Sequence, residues 1–334
     1  MDKFLLVRMS SLGDIIHALP AFAALRRGFP GARIAWVVER PGKEILDLVP
    51  GLGAIVVRGE KGWIRKIRDK DQTTLDLQGL IKSGLIARLS GARKRIGFSG
   101  KNLREPAAAL FYTDRLEGFP EDGHVIAKNL KLLSKLGLGA GTEEYEFPIV
   151  IPESLDRTVR NALADLGRRS GQGIVLCNVG AAWESKRWAP ERWIELLKSI
   201  RRERFFYLLL WGNASEKEAA LRIGAATGTP VAPFFTVPEV LALIKGSRLV
   251  ISGDTFALQA ACALDIPVVG IFGPTNPVRN GPFRARDRTA IFPMDCHPCY
   301  KRICPSAKCM SAVEAGVVAD LVEEILEKKW LTSS

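Results

Sequence analysis

Long apolar runs are missing from this chain. No stretch comes near the ~20 consecutive apolar residues that a membrane-spanning helix requires. The opening run, Phe4 to Val7, is too short for the hydrophobic region of a secretory leader. A soluble, cytoplasmic protein is therefore expected. Two nucleotide signatures are missing as well. Neither half carries G-x-G-x-x-G behind its first strand-like run, and there is no P-loop, which speaks against a nicotinamide dehydrogenase and a P-loop NTPase. Nothing has the form of a helix-turn-helix, an RNA-recognition signature or a basic zipper, so nucleic acid is not an expected partner. Acids are scarce in one segment. From Lys61 to Arg104 only Asp69, Asp71 and Asp76 stand against twelve lysines and arginines.

That bias dominates a formal charge of +12 over 334 residues. It favours an anionic partner: a membrane surface, or a substrate bearing phosphates and carboxylates. A hydrophobic content of 47% over this length supports two full cores. Of six cysteines, Cys177 and Cys262 lie in apolar surroundings and read as core. The others, Cys296, Cys299, Cys304 and Cys309, form C-x2-C-x4-C-x4-C. Such a cluster can hold a structural metal, form a local disulfide or stay reduced. Its spacing departs from paired C-x2-C zinc knuckles.

Strand-like and helix-like runs alternate through the chain. In the first half, residues 3–9, 33–39, 54–59 and 73–79 read as strands, with helices at 15–28 and 42–49. In the second, residues 173–180, 205–212, 230–235, 248–254 and 267–273 read as strands, separated by helices at 190–203, 215–228 and 236–246. Short, continuously apolar strands between helices predict parallel sheets covered on both faces. The pattern runs twice, giving two Rossmann-like, doubly wound α/β domains over 1–160 and 161–315. A last helix within 316–334 is expected to pack back at the domain junction. Asp14 stands at the first strand-to-helix turn, where a helix cap and a ligand site are both reasonable.

Three stretches carry a family resemblance: "VRMSSLGDIIHALPAFAALRRGFPGARIAWVVE"; "LDLQGLIKSGLIARLSGARKRIGF" with "REPAAALFY"; and "SGDTFALQAACALDIPVVGIFGPTNP". The chain resembles the ADP-heptose:lipopolysaccharide heptosyltransferases of glycosyltransferase family 9, and most of all the heptosyltransferase I branch. The resemblance implies a GT-B fold, with two Rossmann-like domains facing across a cleft. It implies inverting transfer of heptose from ADP-heptose to the Kdo region of the lipopolysaccharide inner core, with lipid A-Kdo as acceptor at the cytoplasmic face of the inner membrane. No bound divalent metal or other cofactor is expected.

Residue by residue, the resemblance makes Asp14 the general base, taking the proton of the acceptor hydroxyl. Ser10, Ser11 and Gly13 would form the turn around it. Lys186, Gly253, Asp254 and Thr255 would serve the donor diphosphate at a strand end and helix start. Glu216 would hold the ribose, with Phe235 and Thr236 near the adenine. Lys61, Lys82 and Arg104, with Arg93, Arg95 and Lys101 as further candidates, would read the charges of the acceptor. The sequence departs from heptosyltransferase I at Ala181 and Ala182, where that branch carries threonines. It departs again at Gln259, where the family often has histidine. The four-cysteine segment is more similar to members like heptosyltransferase II. Addition of the second heptose, transfer of another sugar by a family 9 enzyme, and a non-catalytic protein binding a nucleotide or an anionic glycolipid remain the alternatives.

Overall fold

The computed structural model describes residues 2–120, 123–139 and 145–327. The chain divides into two units, Met1–Val150 and Ile151–Ser334. In the first, strands β1 (Lys3–Val7), β2 (Arg33–Val38), β3 (Ala54–Val57), β4 (Thr73–Asp76), β5 (Lys94–Phe98) and β6 (Asp114–Leu116) form a sheet in the order β3-β2-β1-β4-β5-β6. Every pair in it is parallel. Its helices are α1 (Leu12–Gly28), α2 (Arg40–Leu46), α3 (Trp63–Ile67), α4 (Ile81–Leu89) and α5 (Val125–Leu132). Phe4 to Val7 are all buried, as are Ile34 and Trp36 to Val38. Burial on both faces explains why these strands read as continuous apolar runs rather than alternating ones.

The second unit contains β7 (Gly173–Asn178), β8 (Phe205–Leu210), β9 (Ser247–Gly253), β10 (Val268–Phe272) and β11 (Arg288–Ile291), ordered β11-β10-β9-β7-β8 and again parallel. Its helices are α6 (Glu153–Asp165), α7 (Pro190–Ile200), α8 (Ala214–Thr227), α9 (Val237–Lys245), α10 (Phe256–Ala263), α11 (Pro277–Asn280), α12 (Lys308–Ser311) and α13 (Ala315–Glu327). Both sheets are doubly wound. Their chain order reverses between β1 and β4 in one and between β7 and β9 in the other, and ligands bind outside the carboxyl ends of strands at such points.

Three expectations change. The boundary falls at 150/151 rather than 160/161, because α6 packs on α9 and opens the second unit. The final helix, expected as a separate element over 316–334, begins at Ala315 and packs on α7, β10 and β11, burying Val318, Val322 and Ile325 in the core of the second unit. Residues 328–334 of that expectation lie outside the described residues. Residues 230–235 are not a strand. They make a single parallel bridge, Val231 to Leu209, since Pro230 and Pro233 have no N–H to give a ladder.

Candidate active site

The carboxyl end of β1 runs into α1 through Arg8, Met9, Ser10 and Ser11. Asp14 lies in the first turn of α1, where its Oδ2 accepts from the Ser11 amide at 3.0 Å and the Ser11 hydroxyl at 2.9 Å. That is the cap expected of an acid at a helix start. Its Oδ1 lies 2.5 Å from Nη2 of the buried Arg8, yet the Asp14 side chain keeps 39% of its exposure. Burial alone would raise the carboxyl's pKa. The Arg8 guanidinium, then His17 and the two Ser11 bonds, outweigh it and hold Asp14 below the ordinary aspartate value. The cap and the ionised state are thus properties of one carboxylate.

The parallel sheet gathers the expected acceptor residues on the same edge as Asp14. Ser10, Ser11 and Gly13 follow β1, Lys61 follows β3, Lys82 lies in the first turn of α4 after β4, and Arg104 follows β5. Lys82 is paired with Glu39 at 3.2 Å, and Glu39 follows β2 on that edge. Lys61, Lys101 and Arg104 are exposed and make no hydrogen bond or ion pair among the described residues. Arg95 is different. Its guanidinium donates to the carbonyls of Phe111 and Ala92, so it braces backbone instead of presenting charge. Asp69 and Asp71, the D-x-D spacing of this segment, precede β4 and so lie at the opposite edge, where Asp69 is paired with Lys3.

In the second unit, Lys186 and Asp254 form an ion pair at 2.7 Å, with side chains 14% and 8% exposed. Lys186 sits in a 3₁₀ turn, Glu184–Lys186, above the Trp183 ring at 4.3 Å. Gln259 donates to Asp254 Oδ1 at 3.3 Å. The carboxylate beside the expected phosphate site therefore has a structural reason, since it orients the lysine. Gly253 ends β9 where any Cβ would press 3.2 Å from the Lys186 carbonyl. Thr255 precedes α10 and shares bonds with Ser252 and Asn178. It leaves the first N–H groups of α10 for an anion.

Glu216 is buried in the first turn of α8 and accepts from the Gly212 amide at 2.7 Å. A Cβ on Gly180 would fall 2.1 Å from its carboxyl, so glycine just beyond β7 is what admits Glu216. The segment before α9 runs parallel to β8 and carries Phe235 and Thr236 toward the same edge. Neither is free as expected. Phe235 is 8% exposed, while Phe234 is 65% exposed, with its ring 5.9 Å from Trp211. Thr236 is occupied capping α9 with Glu239.

The four-cysteine segment braces this unit. The Cys299 and Tyr300 amides bond the Pro274 carbonyl, and the Ser185 hydroxyl donates to the Lys301 carbonyl at 2.6 Å, beside Lys186. All four thiols are free. Among the described residues, no group of three or more His, Cys, Asp or Glu is arranged to hold a metal ion. Cys304, bonded to Ser306, is held below the ordinary thiol range, and burial raises Cys309. Three residues escaped sequence reasoning: Arg8, Gly180 and Asn178. Only Gly180, a glycine directly behind a strand, carried a local signal.

A family model described as glycosyltransferase family 9 (heptosyltransferase) matches residues 63–310. Lipopolysaccharide heptosyltransferase 1 of Pseudomonas aeruginosa is 28% identical over 322 residues, covering 90% of this chain and 87% of the relative. Lipopolysaccharide heptosyltransferase 2 of Escherichia coli is 22% identical, covering 82% and 84%. Among solved structures, the E. coli heptosyltransferase WaaC with ADP-2-deoxy-2-fluoro heptose aligns with a TM-score of 0.76 at 22% identity, covering 96% of this chain and 99% of that one. The last likeness shows the fold, two Rossmann-like domains of the GT-B class.

Proposed function

This chain belongs to glycosyltransferase family 9, and we propose that it is an inverting heptosyltransferase moving heptose from ADP-heptose to Kdo-lipid A. Likeness to heptosyltransferase 1 along nine-tenths of the chain supports donor and acceptor. The observation that carries the chemistry is Asp14, an ionised, partly exposed carboxylate at the carboxyl edge of β1.

The acceptor hydroxyl oxygen forms a bond to the anomeric carbon while the bond from that carbon to the diphosphate oxygen breaks. The hydroxyl proton passes to Asp14, and ADP leaves with the electron pair. Negative charge that builds on the diphosphate is met by Lys186 and by the N-terminal amides of α10. Glu216 accepts from the ribose hydroxyls, and the exposed Phe234 with Trp211 offers an apolar face to adenine. No divalent ion or other cofactor takes part. Lys61, Lys82, Lys101 and Arg104 face the acceptor's phosphates and carboxylates. The same charges hold the enzyme at the cytoplasmic face of an anionic inner membrane.

The test is transfer from ADP-heptose to Kdo-lipid A, followed by ADP release. Product with Kdo-lipid A supports the reading. Product only with heptosyl-Kdo-lipid A moves the enzyme to the second heptose. Failure to bind ADP overturns the donor.

A further inference from the structure

The guanidinium of Arg8 makes a bridge that the transfer reaction as described leaves without a role. Arg8 directly follows β1, and its side chain is 8% exposed. Nη1 donates to the Leu77 carbonyl at 2.5 Å, just behind β4. Nη2 lies 2.5 Å from Asp14 Oδ1. The Arg8 carbonyl accepts from Trp36 Nε1 at 3.0 Å, which fixes its backbone. Its Nε is buried with no hydrogen-bond partner among the described residues. The two terminal nitrogens therefore provide this cation's polar contacts, and Asp14 is the carboxylate that compensates its charge.

A second tie runs alongside. Asp76 Oδ1 accepts from the Gln78 and Gly79 amides, and Gln78 Oε1 accepts from the Met9 amide at 2.9 Å. The loops behind β1 and β4 are thus joined twice, at the point where strand order reverses.

We propose that Arg8 is a positioning residue for the transfer, aiming Asp14 Oδ1 at the acceptor hydroxyl and keeping it ionised by pinning it to the loop behind β4. The inference rests on Asp14 as the base. A carboxylate oxygen offers about two acceptor positions. Both on Oδ2 are filled by Ser11, so the one left for a substrate hydroxyl is on Oδ1, the oxygen Arg8 holds. Without Arg8 that oxygen is free to turn, and burial then sets its protonation.

The charged groups bearing on Asp14 are Arg8 and His17. Of the helices packed on α1, α5 brings Lys128, whose amine donates to the Asn102 carbonyl, and is preceded by His124, edge-on to His17. Helix α2 brings Arg40, paired with Glu60, Lys43, paired with Asp47, and Glu44.

The experiment compares the parent with Arg8→Met, Arg8→Lys and Asp14→Asn, using ADP-heptose and Kdo-lipid A, with kcat and KM followed from neutral into acid. Arg8→Met is expected to lower kcat about 100-fold with KM for ADP-heptose unchanged. It should also bring an acid limb into the mildly acidic range, where the parent is flat. Arg8→Lys keeps the charge and loses the fork, so it should restore the flat profile and part of kcat. An Arg8→Met enzyme with the parent's kcat and profile overturns the proposal. So does an equal kcat loss in both variants with neither profile moved, which is the mark of packing alone. Should Arg8→Met fail to fold, Arg8→Gln takes its place: a reduced kcat with an acid limb that the parent lacks supports the role, and a profile as flat as the parent's overturns it. An active Asp14→Asn ends the base reading and this proposal together. An inactive Asp14→Asn beside an unaffected Arg8→Met ends this proposal alone.

Discussion

Oδ2 of Asp14 closes the first turn of α1 through Ser11, while Oδ1 is held by Arg8, so one side chain carries both a helix cap and an ion pair. Its depressed pKa has a definite sign. The ion pair stabilises the fold at pH above the ordinary aspartate value of 3.8, and that contribution is lost as pH falls through the depressed value. The parent's kcat/KM should accordingly be flat in Asp14 ionisation across neutral and mildly acidic pH; a limb near neutrality assignable to this group would contradict it. At the donor site, Gly180→Ala places a methyl 2.1 Å from the Glu216 carboxyl. ADP binding measured by calorimetry should weaken at least tenfold, about 1.4 kcal/mol, with the far-ultraviolet spectrum unchanged. Unaltered affinity would remove Glu216 from the nucleoside site. The turn that carries Asp14 was legible in the sequence because a strand, a turn and a helix start are contiguous there, which gave the cap; its role as base came from the family resemblance. Arg8 was not legible, since its meaning depends on Leu77, which only the pairing of β1 with β4 brings near.

Strand-helix alternation was readable wherever strands are buried on both faces, since such strands are short apolar runs between helices. It misled at residues 230–235, where apolar composition imitates a strand but two prolines interrupt the donors. The resemblance also named Phe235, rather than its neighbour Phe234, as the ring near the adenine. Adjacent residues in an irregular segment have no period to decide which faces outward, and the structure buries Phe235 and exposes Phe234. The domain boundary was hidden for a similar reason. α6 has a polar sequence with only Val159 and Leu163 buried, and its allegiance comes from packing on α9. α13 gives a direct test of this scale. Ile325→Ala removes a core side chain shared with the cluster that includes Trp193 and should cost about 2–5 kcal/mol in urea unfolding. ADP affinity should stay the same. A cost near zero would mean that α13 does not complete the second core.

Part of the molecule's surplus positive charge, Lys61, Lys82, Lys101 and Arg104, stands behind strand ends at the carboxyl edge of the first sheet. Screening shortens from about 10 Å at 0.1 M salt to about 3 Å at 1 M. Binding to phosphatidylglycerol vesicles should therefore be strong at low salt and lost at high salt, and Lys101→Glu with Arg104→Glu should weaken it at low salt. Binding insensitive to both would sever the basic face from the membrane. In the proposed reading the two units divide the work, with the base and acceptor charges on one and the donor contacts on the other. The measurement that tests this most directly is single-turnover heptose transfer from ADP-heptose to Kdo-lipid A by the parent and Asp14→Asn, with ADP affinity determined on the same preparations. The account predicts intact ADP binding in both and a transfer rate lower by about 10²–10⁴ in the variant. Transfer at the parent's rate by Asp14→Asn would contradict it.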